Sequence, residues 1–73
     1  MPLNFTGKTA ANLSWTSLEA EDAATGARVI VKVTHEAEQD HGFLKAKEVA
    51  SAKYDRSQLE PDGVVMVRTA DCA

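Results

Sequence analysis

Four sets of residues in this chain have types that suit chemistry: Gly7-Lys8-Thr9; His35 with His41; Cys72; and the cations Lys45, Lys47, Lys53 and Arg56. Gly7-Lys8-Thr9 has the ending of a phosphate-binding loop. That loop needs a glycine five positions before its Gly-Lys pair, a strand before it and a helix after it. Pro2 stands at the first glycine's position, so a polar loop is the expectation. His35 and His41 would suit a metal if they shared a helix face, which takes a spacing of three or four residues. Their spacing of six sets them about 120° apart on a helix. Surface or capping histidines are therefore expected, free to titrate near neutral pH. Cys72 could pair with a histidine as nucleophile and base. A reactive thiol wants a fixed, electropositive setting, which the penultimate position does not promise. No catalytic residue, metal ligand or cofactor is expected, and the chain reads as a non-enzyme under the usual active-site tests.

The four cations lie on or just after a candidate helix, where they give it a basic side diluted by Glu48 and Asp55. Such a side could meet phosphate or an acidic partner. More commonly it is a solvated helix face laced with i,i+3 and i,i+4 pairs such as Lys45 with Glu48. A net charge of −3 opposes the long-range attraction on which nucleic-acid binding depends, so that partner is disfavoured. It equally disfavours an anionic membrane surface. No window approaches the roughly 18 apolar residues of a membrane span, and no basic stretch leads into a signal-like apolar run. The cytoplasm is the expected location.

The 73 residues allow one small domain, 44% apolar and 26% charged. A chain of this size buries only about 60% of its unfolded surface, so support from a disulfide, a metal or a second subunit is common. Cys72 is the only cysteine, which removes an internal disulfide. Self-association is left as the support to expect.

The positioning elements follow from periodicity. Residues 1–12 are weakly patterned: Leu3 and Phe5 alternate with Asn4, as a short strand or a lid would, until Gly7 interrupts them. They read as a loosely packed N-terminal segment before a core of residues 13–71. Residues 13–21 form a candidate strand with Leu13, Trp15 and Ser17 on one face and Ser14, Thr16 and Leu18 on the other. Turn residues follow through Gly26. Residues 28–34 are the clearest strand, with Val29, Val31 and Val33 on one face. The two strands form a hairpin. Thr34 is a natural N-cap for a helix over 35–54, with Glu36 and Glu38 near its positive end. Gly42 either closes a first short helix or is tolerated within a longer one. Phe43, Ala46, Val49, Ala50 and Tyr54 fall on one stripe. Glu60-Pro61-Asp62-Gly63 is a turn, and residues 64–69 are a strand.

The fold expected is α+β: a single ββαβ domain whose three-stranded sheet packs one face on one main helix. The helix between the last two strands requires a parallel pair. The first strand would fit between them, giving the order 2-1-3.

Three stretches together resemble a known family: Val31-Lys32-Val33-Thr34-His35-Glu36-Ala37 with Asp40-His41-Gly42; Ala52-Lys53-Tyr54-Asp55-Arg56; and Glu60-Pro61-Asp62-Gly63-Val64 through Thr69-Ala70-Asp71. They are similar to a family of short bacterial proteins catalogued as a domain of unknown function, number fourteen eighty-eight. The likeness covers roughly residues 28 to 71. This chain departs from it at Glu38, where the family favours leucine. The resemblance implies a small α+β fold in a bacterial cytoplasm and implies no activity.

Two residues complete the candidate interaction set. Trp15 is core or core-edge on one reading and, if exposed, an interface anchor on the other, since Trp and Tyr concentrate binding energy. Tyr54-Asp55-Arg56 reads first as a helix closure that orders the next loop. The expected interaction residues are thus Trp15, Lys45, Lys47, Lys53, Tyr54 and Arg56. The expected function is a protein-interaction module that binds an unidentified protein or a second copy of itself. The alternative is weak nucleic-acid binding by the basic side of the helix.

Overall fold

Strand alternation accounts for most of the architecture. β1 (Leu3–Ala11), β2 (Trp15–Asp22), β3 (Arg28–Thr34) and β4 (Val64–Arg68) form one sheet, and α1 (Phe43–Lys53) joins β3 to β4. The structure is a computed structural model that describes residues 3–12, 14–35 and 42–69, with Lys8 described by its backbone alone.

The α+β class agrees with the sequence; the sheet corrects it. Among the described residues, four strands run in the order β1-β2-β3-β4, in place of three in the order 2-1-3. The N-terminal segment is the cause. Residues 3–11 are a full strand, antiparallel to β2, and Leu3 is buried. β1 therefore takes the edge of β2 that the three-stranded arrangement reserved for the last strand. β4 docks instead directly beside β3, parallel to it, with Val31 opposite Val65 and Val33 opposite Val67. Parallel pairing across the helix crossover was expected; direct adjacency was not.

The helix begins later than its capping pattern promised. Thr34 stays in β3, opposite Arg68, and its hydroxyl donates to the Val67 carbonyl at 3.3 Å. A β-branched residue favours that extended setting. Gly42 is not internal to α1: it is extended at its N-cap position (φ −136°) with no side-chain cap, and the first short helix it could close would fall on residues 36–41. The stretch from 36 to 41 lies outside the described residues. Ala46, Val49 and Ala50 are fully buried, as the stripe predicts, but Phe43 is 47% exposed and Leu44 85%. The alanines bring the helix close to the sheet, and Tyr54 alone adds bulk at its far end.

The core is one layer between α1 and one sheet face. Leu3, Leu18, Ala20, Val29, Val31, Val33, Val65 and Val67 face Ala46, Val49 and Ala50. Alternation is strict along β2 and β3, where every second residue is buried. The alternate residues, Trp15, Ser17, Glu19, Ile30, Lys32, Val64 and Met66, therefore lie on the opposite face. Among the described residues, no element covers that face.

Two glycines do conformational work. Gly7 (φ +127°) sits where the β1–β2 register shifts between Phe5 and Thr9. Gly63 (φ +84°) ends the predicted turn, its N–H donating to Glu60 at 2.9 Å while its own carbonyl accepts from Ile30 at 2.9 Å. A side chain in that left-handed conformation would be strained.

Candidate functional site

The most elaborate polar constellation is centred on Asp22, a residue the sequence marked only as a turn. Its parity on β2 is that of Leu18 and Ala20, so its carboxylate points to the helix side and is 1% exposed. Five donors converge on it. Oδ1 accepts from the Ala24 and Thr25 N–H groups at 2.8 and 3.2 Å and from Arg56 Nη2 at 3.0 Å. Oδ2 accepts from the Tyr54 hydroxyl at 2.6 Å and from Arg56 Nε at 2.9 Å. The guanidinium fork is bidentate, the strong form of such a pair. The arrangement ties the β2–β3 turn to the end of α1, a sequence separation of 32 to 34 residues.

The Arg56 guanidinium, and then the Tyr54 hydroxyl, hold the Asp22 carboxyl well below the usual carboxylate range, against the opposing effect of burial. Tyr54 is pushed up, first by burial and then by the neighbouring carboxylate. Arg56 is raised by Asp22. Asp55 is lowered because its Oδ1 accepts from the Ser57 hydroxyl at 2.7 Å and N–H at 2.9 Å, capping a short 3-10 turn, Arg56–Gln58.

These shifts set a pH profile. A lowered carboxyl contributes stability above its unfolded value of about 3.9, and that contribution is lost as pH falls through the folded value. A raised phenol contributes below about 10, and the contribution is lost as pH rises through the folded value. Thermal melts should show a plateau between about pH 5 and 9 with a decline on each side. Tyr54 is the only tyrosine, so Tyr54→Phe should remove the phenol-dependent part of the alkaline decline.

The carboxylate accepts from all five donors, and the Tyr54 hydroxyl is engaged with it. An open depression of about 480 Å³ lies against Ala52, Lys53, Tyr54, Asp55 and Arg56, but the polar groups of Tyr54 and Arg56 turn to Asp22. Two of the six expected interaction residues, Tyr54 and Arg56, are thus engaged with Asp22 within the chain.

The other four are dispersed. Lys47 Nζ lies 5.8 Å from the centroid of the Phe5 ring, over the β1 side of the core. Lys45, two residues earlier, is about 160° away around the helix. Lys53 is exposed near the C-terminal end of α1. Lys45 and Lys47 therefore stand on opposite sides of the helix. Trp15 lies on the sheet face opposite the helix, half-buried, with Lys32 Nζ 4.8 Å from its ring centroid. The core reading of Trp15 is corrected to a surface one.

Of the motifs that suggested chemistry, Gly7 and Thr9 lie in the irregular part of β1, in place of a loop that leads into a helix. His35 Nε2 is hydrogen-bonded to the Thr16 hydroxyl at 2.6 Å, just after β3. His41 and Cys72 lie outside the described residues. Among the described residues, no three His, Cys, Asp or Glu side chains cluster as metal ligands would. Among them, no helix is long and apolar enough to cross a membrane.

Fold and site together define a small α+β domain with a mixed sheet, four-stranded among the described residues, covered by a helix on one face. Comparison with known proteins finds no matching family model, no matching curated relative and no matching solved structure. The resemblance to the domain-of-unknown-function family rests on the quoted residues alone.

Proposed function

We propose that this protein is a non-enzymatic protein-interaction module whose working surface is the helix-free sheet face. The observation that carries this reading is the composition of that face. Trp15, Ile30, Val64 and Met66 line it, and Met66 is 62% exposed. Exposed apolar side chains rimmed by polar ones are the usual sign of an interaction surface. Lys32 and Glu19 stand between these apolar side chains, and Arg28 flanks them, paired with Glu19 at 2.6 Å.

The same face argues against the helix as the binding element. Its lysines point in different directions, and Tyr54 and Arg56 are engaged with Asp22. Net charge of −3 opposes nucleic acid, as before.

Affinity capture from native lysate tests the reading, with wild type, Met66→Lys and Lys53→Glu as baits and mass spectrometry as readout. A partner held by wild type and Lys53→Glu but depleted at least about tenfold by Met66→Lys is expected, since central apolar anchors dominate such interfaces. A partner that ignores Met66→Lys and is lost with Lys53→Glu would refute it.

A further inference from the structure

We infer that the helix-free face is an isologous interface, and that its occupant is a second copy of this chain with Met66 of each copy seated in a hollow of the other. This rests on the reading of that face as the binding surface. It adds the partner and the register.

The face carries a projection and a hollow on opposite sides of the same strand. Met66 stands on β4, opposite Lys32 of β3. The hollow lies on the other side of β3, has a volume of about 340 Å³, and is lined by Thr9, Ala10, Ser17, Glu19 and Ile30. Ser17 is opposite Lys32 from the β2 side, so Met66, Lys32 and Ser17 make one row across the sheet. A two-fold axis running along β3, between two facing sheets, carries each β4 over the partner's β2. It therefore sets each Met66 over the partner's Ser17, at the hollow. A two-fold interface must be complementary to itself in this way, each feature meeting its opposite across the axis. Methionine suits the role, because its flexible, polarisable side chain fills irregular gaps.

The rest of the face agrees with that axis. Trp15, Thr34 and Arg68 form the next row, so the operation places Arg68 against the partner's Trp15, a favourable cation–π pairing. Ile30 meets its own copy near the axis. Lys32 would meet its own copy as well, but its ammonium leans toward Trp15, away from the axis.

Size sets the strength to expect. Four strands about 4.8 Å apart and about 20 Å long present about 400 Å² per copy. That is about half of a standard interface, so the dimer is weak and concentration-dependent.

Sedimentation of wild type, Met66→Lys and Ser17→Glu from about 10 μM to 1 mM, alone and as an equimolar mixture of the two variants, tests this. Circular dichroism and melting temperature first establish that each variant is folded; these exposed or half-buried sites should shift stability by no more than about 0.5 kcal/mol. Wild type should dimerise within the range. Each variant alone should be at least about tenfold weaker, because it must desolvate two introduced charges per dimer at the Met66–Ser17 contacts. The mixture should recover dimerisation. A mixed dimer sets the introduced cation against the introduced carboxylate at one hollow and leaves the native Met66–Ser17 contact at the other.

Wild type that stays monomeric at 1 mM overturns the proposal. So does a dimer indifferent to both variants, or a mixture that fails to recover. A monomer whose captured protein is still lost with Met66→Lys leaves the interaction reading standing without this partner. Capture indifferent to Met66→Lys removes the reading itself.

Discussion

Asp22→Ala is expected to lower the melting temperature by about 10 °C or more, the largest loss for any single polar substitution in this domain. Removing the carboxylate strands the Ala24 and Thr25 N–H groups, the Tyr54 hydroxyl and the Arg56 fork together. Hydrogen bonds to a charged group are worth about 1.5–3 kcal/mol, more than neutral ones, and the variant loses several at once. Asp22→Asn should fall between, because the amide keeps one accepting oxygen but loses the charge and presents a donor to Arg56. Arg56→Ala should cost less than Asp22→Ala, since the Arg56 side chain is 54% exposed and the Asp22 carboxylate keeps its bonds from the Ala24 and Thr25 N–H groups and the Tyr54 hydroxyl. Melts of the three variants by circular dichroism give the ranking. Asp22→Ala within about 2 °C of wild type would contradict the fastening role argued here.

Leu18→Ala is expected to cost about 2–5 kcal/mol, through lost burial and the cavity left behind. Leu18 is fully buried at the middle of β2, opposite Val31 and backed by Thr9 of β1. A 73-residue domain has about 4–11 kcal/mol of total stability at 0.05–0.15 kcal/mol per residue. One methyl-rich side chain thus accounts for much of the margin. Urea unfolding should move to a much lower midpoint with little change in slope. An unchanged midpoint would mean that the layer between sheet and helix is not the core.

The sequence showed the parts of this fold in which one periodicity ran uninterrupted. β3 alternates cleanly from Arg28 to Thr34, and the Glu60-Pro61-Asp62-Gly63 turn leads directly into β4. β1 was obscured by its own irregularity. The register shift between Phe5 and Thr9 breaks the period of two, and Gly7-Lys8-Thr9 reads as a loop. Without β1, the open edge of β2 invited the wrong neighbour, and the strand order went with it. The helix start was misplaced because a good capping residue, Thr34, is also a good strand residue, and its pairing with β4 prevailed.

The site was legible in the same uneven way. Tyr54 and Arg56 stood out, but the residue they serve did not, since an aspartate before Ala-Ala-Thr-Gly is ordinary turn chemistry. Its parity with Leu18 and Ala20 was the available signal. Trp15 was read as core or core-edge because one face of its strand must be buried, and neither face was wholly apolar to show which. Thr16, with its hydroxyl bound to His35, supplies the inward face at that level and leaves the ring outside.

Chemical-shift mapping tests the account most directly: isotope-labelled protein titrated with the protein it captures, or with unlabelled copies of itself if it captures nothing else. The account predicts shifts at the Trp15 indole and at Ile30, Val64 and Met66, with Val49, Ala50 and Lys53 unmoved. Shifts concentrated on Lys45, Lys53 and the end of α1, with the Trp15 and Met66 signals unmoved, would contradict it.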